Sequence, residues 1–397
     1  MGAYKLAEAA GFERIIGFDM GGTSTDVSLV DAAAGFRIGN ESSISGIPIA
    51  VPMLDIHTAG AGGGSIARFD AGGMLRVGPE SAGADPGPIC YGTGTQPTVT
   101  DANLILGRLD STSFLGGAVP LDLERTRRLM DESKGAIATV EEFAEGILRV
   151  IETTMAKAIR VISIERGFDP RDFTLVAFGG GGPVHACSLA AALGVPRVLV
   201  PALPGALSAV GILLADTVRE YSRTVMQPVD ASLERFFAEL ESAGADDFRR
   251  EGLEGASHRS ADLRYRGQGY ELNVPYSAHM AADFHEQHRR RYGFADPLRS
   301  IEVVNVRVRM VSPAEQFTQT REALREGNGN QAMTGSRPVW FGGAFVPTHV
   351  HDRDLLVPGD HISGPAIITE YSSAAILPPG DRIHVDELRN LVIEVRG

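Results

Sequence analysis

Apolar residues recur with a helical period in the longest patterned segment of the chain. Between residues 140 and 167 they return at intervals of three and four, which predicts a helix buried along one face. Gly167 and Pro170 end it. Consecutive apolar residues elsewhere predict buried strands, and the strongest of these are 15–19, 27–30, 36–39, 173–178 and 197–201.

The pattern changes beyond residue 216. Charged helices are predicted at 233–252 and 282–292, residues 301–311 alternate between apolar and polar as a half-exposed strand does, and 338–396 contains short strands with Gly and Pro turns. We therefore predict two domains, at 1–220 and 221–397. The first is expected to be α/β with a mixed sheet, and the second mainly β with packed helices.

The first motif with chemical meaning is the segment 19–26, a glycine-hydroxyl turn between two apolar strands. Gly21 and Gly22 lack side chains that would keep backbone N–H groups from a phosphate, and Thr23 and Ser24 add hydroxyl donors. Two carboxylates flank the turn. Asp19 would repel a phosphate unless a cation lay between them, so it is expected to hold Mg²⁺ through water.

Asp26 is expected to polarise a water molecule or to orient the hydroxyl groups. The alternative for the whole segment is a tight hairpin whose hydroxyl groups only cap the turn.

A second motif is a run of four glycines between a buried strand and a helix. Such a loop lets a nucleotide lie on the backbone, while the first turn of the helix faces a phosphate or a ribose. The glycines are Gly179, Gly180, Gly181 and Gly182.

Asp55 and His57 occupy alternate positions of one predicted strand and therefore share a face. They are candidates for a metal site, or for a general base and the group that orients it. A local hydrogen-bonded pair is the equally weighted alternative. Asp101 is a candidate site residue or a helix cap, and His185 a phosphate contact or a buried helix histidine.

Composition narrows the class of protein. The net charge is −13, and Lys and Arg form no basic stripe, which argues against nucleic-acid binding. The two cysteines, Cys90 and Cys187, have no zinc spacing and are expected to be reduced structural thiols. No signal region and no long apolar run is present, so a cytoplasmic protein without a membrane span is expected.

Together the two glycine loops resemble those of the actin, sugar-kinase and heat-shock-chaperone ATPase superfamily. The resemblance implies a ribonuclease-H-like lobe in which 19–26 is the second phosphate loop and Gly179–Gly182 holds adenosine. It is closer to the hydantoinase A and 5-oxoprolinase family, which also includes acetone and acetophenone carboxylase subunits. The motifs that carry this closer resemblance are 17–28, 55–67, 78–88 and 100–103, with 364–368 and 377–380 near the carboxyl end.

The family resemblance implies an ATP-dependent enzyme that opens cyclic amides such as hydantoin, N-methylhydantoin or 5-oxoproline. ATP with Mg²⁺, or another divalent metal, is the implied cofactor. The implied partners are a hydantoinase B-type subunit and an amino-terminal lobe with another phosphate loop. This sequence contains one such loop, and that loop has two glycines where the superfamily pattern has three. The alternative is therefore a noncatalytic half-enzyme or scaffold subunit, and a small-molecule kinase is a weaker third hypothesis.

Overall fold

The structure is a computed structural model that describes residues 1–31, 54–314 and 319–396, with only the backbone of short strands between 38 and 53. The helices are α1 Gly2–Ala9, α2 Val99–Ile105, α3 Leu123–Ser133, α4 Val140–Ile162, α5 Gly182–Leu193, α6 Leu207–Leu213, α7 Glu234–Arg250 and α8 Met280–Tyr292. The strand predicted at 36–39 lies partly outside the described residues.

The strands follow the same numbering along the chain. Those in the first half are β1 Arg14–Met20, β2 Thr25–Asp31, β3 Ile38–Gly39, β4 Ser42–Ile44, β5 Ile47–Ile49, β6 Met53–Leu54, β7 Ile56–Ala59, β8 Ser65–Phe69, β9 Leu75–Ser81, β10 Thr174–Phe178 and β11 Arg197–Val200. Those in the second half are β12 Thr217–Pro228, β13 Ala256–Tyr265, β14 Leu272–Pro275, β15 Ile301–Ser312, β16 Met333–Phe341, β17 Ala344–Asp352, β18 His361–Ser363, β19 Ala366–Glu370, β20 Ser373–Leu377, β21 Arg382–Val385 and β22 Leu391–Glu394.

An eight-stranded mixed sheet organises the first compact unit, in the order β18-β21-β22-β11-β10-β1-β2-β7. Strands β1, β10 and β11 are parallel neighbours, and the remaining pairs are antiparallel. The carboxyl ends of β1 and β10 therefore meet at one edge of the sheet, where the two predicted glycine loops begin. The predicted mixed α/β architecture is confirmed.

Two compact units divide the chain differently from the predicted continuous domains. The first unit comprises Met1–Ile212 with Thr318–Gly397, and the second is Leu213–Phe317. These units have other bounds than the predicted domains at 1–220 and 221–397, which stay a prediction. The reason is strand pairing: β22 pairs with β11, so the last strands of the chain extend the sheet that begins at β1.

Alternate residues of β1 pack into two different hydrophobic clusters, one on each face of the sheet. Ile16 and Phe18 pack in the core that includes α4, whereas Ile15 packs on the other face with Leu6 and Leu207. The helix α4 begins with a capping box, in which Thr139 and Glu142 satisfy each other's backbone N–H groups. Because both faces of the sheet are covered, β1 is apolar along nearly its whole length.

The second unit is a four-stranded antiparallel sheet with helices packed against it. Its strand order is β12-β15-β13-β14, and its core joins Phe237 of α7 and Phe284 of α8 to the sheet residues Leu263 and Val306. The predicted alternation of 301–311 is confirmed, because Val303, Val306 and Val308 are buried along β15.

Neither cysteine is exposed. Cys90 and Cys187 are free thiols inside the protein, and burial raises the pKa of both. The structural role predicted for them agrees with this placement, since a buried thiol is a poor nucleophile. Within the ranges that the structure describes, no helix is both long and apolar enough to cross a membrane.

Candidate active site

Two carboxylates face each other across the first hairpin. Asp19 of β1 and Asp26 of β2 are direct partners in the antiparallel register, so their side chains project from the same face of the sheet. Both are half-buried. Burial raises the pKa of Asp19, a hydrogen bond from Ser208 acts against that rise, and the negative charge of Asp26 adds to it.

Each of these carboxylates accepts a hydrogen bond that sequence reasoning missed. The hydroxyl of Ser208, on α6, donates to Oδ2 of Asp19 at 2.8 Å. The hydroxyl of Thr58, on β7, donates to Oδ1 of Asp26. Ser208 lies 189 residues from Asp19 in the sequence, so no local pattern could have paired them. Thr58 lies in the motif 55–67, but its pairing with Asp26 depends on the strand order.

The turn between the two carboxylates is tight and open to solvent. The backbone N–H of Gly21 donates to the carbonyl of Ser24 at 3.0 Å, and Gly21, Gly22 and Thr23 are exposed. A Cβ atom added to Gly22 would have no heavy atom within 4 Å. Packing inside the protein therefore does not explain the glycine at position 22.

The loop 60–64 lies directly behind this turn. Gly63 donates its N–H to the carbonyl of Gly21 at 3.0 Å, and Gly64 donates to that of Gly22 at 2.6 Å. A Cβ atom at Gly62 would lie 2.6 Å from the backbone of Gly22 and Thr23. These glycines therefore allow the loop 60–64 to approach the backbone of the turn 21–24 closely and to hold that turn in place.

The glycine run 179–182 reaches the same place from the neighbouring strand. Asp19 is the parallel partner of Phe178, and the next residue, Gly179, has φ +78°. A Cβ atom at Gly179 would lie 2.4 Å from Oδ1 of Asp19, and Gly181 donates its N–H to the carbonyl of Met20 at 3.0 Å. The structure thus brings the two predicted loops into contact.

The helix α5 begins inside the glycine run. Gly182 is its first residue and Pro183 occupies its first turn, where a missing N–H costs nothing. The first turn of this 12-residue helix presents the positive end of its dipole beside the two loops.

Asp101 is a structural residue of α2. Its carboxylate is fully buried and accepts hydrogen bonds from the N–H groups of Ile89, Cys90 and Thr98 and from the Thr98 hydroxyl. Asp101 therefore helps to cap α2 as the third helical residue of a capping box, whereas the N-cap residue itself is Thr98. Through Thr100, which donates to the carbonyl of Gly63 at 2.9 Å, the same helix supports the loop 60–64.

His185 is buried behind the glycine run, as its structural alternative predicts. Its Nε2 lies 3.3 Å from Nδ2 of Asn103, and its Nδ1 lies 2.9 Å from Oε1 of Glu152. Because Nδ2 of Asn103 also donates to the carbonyl of Val99, Nε2 of His185 must accept and Nδ1 must donate. The imidazole thus links α2, α4 and α5.

Asp55 and His57 are not brought to the pair of carboxylates. His57 of β7 is paired with Val27 of β2, and the adjacent pair in the register is Thr58 with Asp26. Because successive residues of a strand point to opposite faces, His57 projects from the face opposite to Asp26. Asp55 forms an ion pair with Arg166, with Nη2 of the arginine donating at 3.1 Å. The sheet therefore separates this pair from Asp19, and Asp55 has a guanidinium partner of its own.

The part of the chain that the structure describes contains no group of three or more His, Cys, Asp or Glu side chains suited to a metal ion. Mg²⁺ does not need such a group when a nucleotide supplies ligands, because it usually keeps several waters and binds one or two carboxylates together with substrate phosphates. The facing carboxylates of Asp19 and Asp26 fit that kind of site.

Comparison with known proteins identifies the family. The profile of the hydantoinase/oxoprolinase family matches residues 1–221, and that of the hydantoinase/oxoprolinase C-terminal domain matches residues 220–395. The chain belongs to the hydantoinase/oxoprolinase family. The resemblance drawn from the sequence motifs is confirmed.

Relatives in this family differ in their substrates. The chain is 34% identical to caprolactamase subunit alpha of Pseudomonas jessenii over 96% of its own length and 58% of that protein. It is 33% identical to 5-oxoprolinase of Dictyostelium discoideum, over 94% of this chain and 31% of that one. A structure of acetone carboxylase, described as an enzyme of ATP-dependent acetone carboxylation, superposes with a TM-score of 0.90 at 26% identity, covering 99% of this chain and 60% of the other.

The chain therefore spans little more than half the length of the caprolactamase subunit, and less of the oxoprolinase.

Proposed function

We propose that this hydantoinase/oxoprolinase chain takes part in the ATP-dependent opening of a cyclic amide such as hydantoin, N-methylhydantoin or 5-oxoproline. The observation that carries the proposal is the contact of the glycine run with the facing carboxylates: Gly179 packs against Asp19, and Asp19 faces Asp26. That arrangement puts two glycine loops and two carboxylates at one edge of the sheet, which supports a site for phosphate and a divalent metal there.

In this proposal the exposed turn binds the phosphates. The backbone of Gly21 and Gly22 and the hydroxyl groups of Thr23 and Ser24 face the phosphate oxygens, while the run Gly179, Gly180, Gly181, Gly182 supports the nucleoside. The open space around Gly22 supports this assignment, since a phosphate could reach the backbone there.

Asp19 and Asp26 would hold Mg²⁺, or another divalent metal, on the phosphates. When bound, such an ion neutralises charge on the transferred phosphoryl group. Ser208 keeps one oxygen of Asp19 oriented by its hydrogen bond. We leave Asp55 and His57 out of this site, because the sheet separates them from Asp19.

The chemistry explains why ATP is needed. An unstrained cyclic amide resists attack by water, because expulsion of the ring nitrogen is difficult. Phosphorylation of the amide oxygen turns that oxygen into a good leaving group and couples ring opening to cleavage of ATP. The residues of this chain would bind and orient the phosphate donor.

A second candidate is a half-site that works only with another lobe and a hydantoinase B-type subunit. It is favoured by the single Asp-Met-Gly-Gly-Thr turn in the sequence and by the relative named caprolactamase subunit alpha, which is one subunit of its enzyme. In this case the same residues bind nucleotide, but turnover requires the other chains. A cytoplasmic location is part of both proposals, and it rests on the acidic composition and the two unpaired cysteines.

Phosphate release separates the two candidates. The purified chain is incubated with Mg·ATP and hydantoin, 5-oxoproline or caprolactam, first alone and then with added B-type and amino-terminal lobe chains. Amide-dependent phosphate release by the chain alone would eliminate the half-site candidate. Release only after addition would support it, and no nucleotide binding under any condition would overturn both.

A further inference from the structure

An open pocket lies beside the glycine run, in the first compact unit. One wall is the segment 108–115 that follows α2, and the opposite wall is the hairpin 369–374 between β19 and β20. Gly180 lies at its edge, so the pocket adjoins the residue next to Gly179, which packs against Asp19.

Two arginines of this pocket have buried N–H groups without acceptors. Among the described residues, Nε of Arg337 and both Nε and Nη1 of Arg108 are buried and lack a hydrogen-bond partner. The other donors of Arg337 are used: Nη1 donates to Asp110 at 2.6 Å and Nη2 to the carbonyl of Arg108 at 3.2 Å. A buried guanidinium N–H that has lost water and gained no acceptor is unfavourable.

Carboxylates of the protein do not supply the missing acceptors. Glu370, which also lines the pocket, pairs with Arg353 at 3.3 Å. Asp110 is occupied by Arg337 and by the turn that follows it. Glu152 comes only within 3.8 Å of Arg108 and already accepts from His185.

The remaining lining indicates what kind of molecule fits. Leu109, Phe114 and Leu115 are apolar, and Tyr371, which also lines the pocket, is 71% exposed. Guanidinium groups match the oxygens of carboxylate and phosphate, whereas the apolar side chains favour an organic body over a bare ion. We propose that this pocket binds a small organic acid, with its oxyanion on Arg108 and Arg337 and its apolar body against Phe114 and Tyr371.

This pocket shares Gly180 with the proposed nucleotide site but uses other side chains, so its failure and that of the proposed function can be told apart. Calorimetric titrations of the full chain use hexanoate, butyl phosphate, the neutral hexanamide and inorganic phosphate. Hexanoate or butyl phosphate should bind at least tenfold more tightly than hexanamide, and the stronger of the two identifies the acid group. Equal binding of hexanoate and hexanamide, or binding of inorganic phosphate alone, would overturn the proposal.

Variants test the assignment of residues. Arg337→Met should weaken binding of the acid at least tenfold, and Tyr371→Ala, at an exposed position that folding tolerates, should weaken it several-fold. Arg321→Met removes an exposed arginine that pairs with Glu387 outside the pocket and should change nothing. Asp19→Asn should leave acid binding intact while removing nucleotide binding. Unchanged affinity in both Arg337→Met and Tyr371→Ala would refute the site.

Discussion

Ser208 donates a hydrogen bond to Asp19 across 189 residues of sequence, with 2.8 Å between Oγ and Oδ2. This contact ties α6 to the end of β1, at the residue where the two glycine loops meet. It leaves Oδ1 of Asp19 directed at Gly179, where a Cβ atom would lie only 2.4 Å away. The two oxygens of one carboxylate are therefore held in different environments.

Loss of the Ser208 hydroxyl should weaken nucleotide binding modestly. Ser208→Ala removes one hydrogen bond to a charged group, typically worth about 1.5–3 kcal/mol. Because this bond is present in the free protein as well, only part of that energy affects binding, and the Kd for Mg·ATP should rise about 2- to 10-fold. The substitution also removes the hydrogen bond that lowers the pKa of Asp19, and the pKa of Asp19 should therefore rise further. Isothermal titration measures the affinity, and Ser208→Thr, which keeps the hydroxyl, should restore most of it. Equal affinities in all three proteins would remove Ser208 from the site.

Replacement of Asp19 should separate binding from stability. Because burial raises the pKa of Asp19 in the folded protein, its ionised form is less favourable there than in the unfolded chain. Asp19→Asn should therefore raise the melting temperature of the free protein while abolishing its stabilisation by Mg·ATP. The gain in melting temperature should be largest at neutral pH and should vanish in acid, where Asp19 is protonated in both states.

The control for this variant is Asp131→Asn, which removes an exposed carboxylate of α3 paired with Lys134. It should leave the nucleotide response unchanged. A normal Mg·ATP-induced shift in Asp19→Asn would rule out the proposed metal role.

Substitution by alanine should affect stability at Gly62 but nucleotide affinity at Gly22. Gly62→Ala places a Cβ atom 2.6 Å from the backbone of Gly22 and Thr23, so it should lower the free energy of unfolding by about 1–3 kcal/mol or more. Gly22→Ala meets no atom within 4 Å, so stability should hold while the affinity for Mg·ATP falls at least tenfold. Chemical denaturation and titration measure the two effects.

The matched control is Gly335→Ala in β16, which also has open space around its Cβ position and should be neutral in both assays. If Gly22→Ala binds Mg·ATP normally, phosphates do not approach the backbone at this turn.

The buried histidine should contribute to stability through both of its hydrogen bonds. His185→Ala leaves Nδ2 of Asn103 and Oε1 of Glu152 with one partner fewer, which should lower the free energy of unfolding by about 2–4 kcal/mol, from two lost hydrogen bonds and a cavity. His258→Ala, at an exposed position of β13, should cost little. Urea denaturation compares them, and similar midpoints for the two variants would contradict the structural role.

Individual helices, strands and turns could be predicted from the sequence, because they depend on residues that are neighbours along the chain. The helix α4, the strands β1, β2 and β10, the turn 21–24 and the glycine run all follow from periodicity and residue type within a few positions. A capping role for Asp101 was one of two alternatives, but the N-cap residue of α2 is Thr98, three residues before it.

Tertiary structure decided which of these pieces meet. Register between β1 and β10 brings Gly179 to Asp19, and the order of β1, β2 and β7 puts His57 on the opposite face from Asp26. Pairing of β22 with β11 returns the end of the chain to the first unit. These outcomes depend on hydrogen bonding between strands far apart in sequence, and local patterns of apolar and polar residues do not specify such partners. The sequence by itself determined the two glycine loops and their donor groups. Only the folded sheet brought both loops to one edge, where Ser208 contacts Asp19, and only the folded sheet put His57 on the face opposite to Asp26.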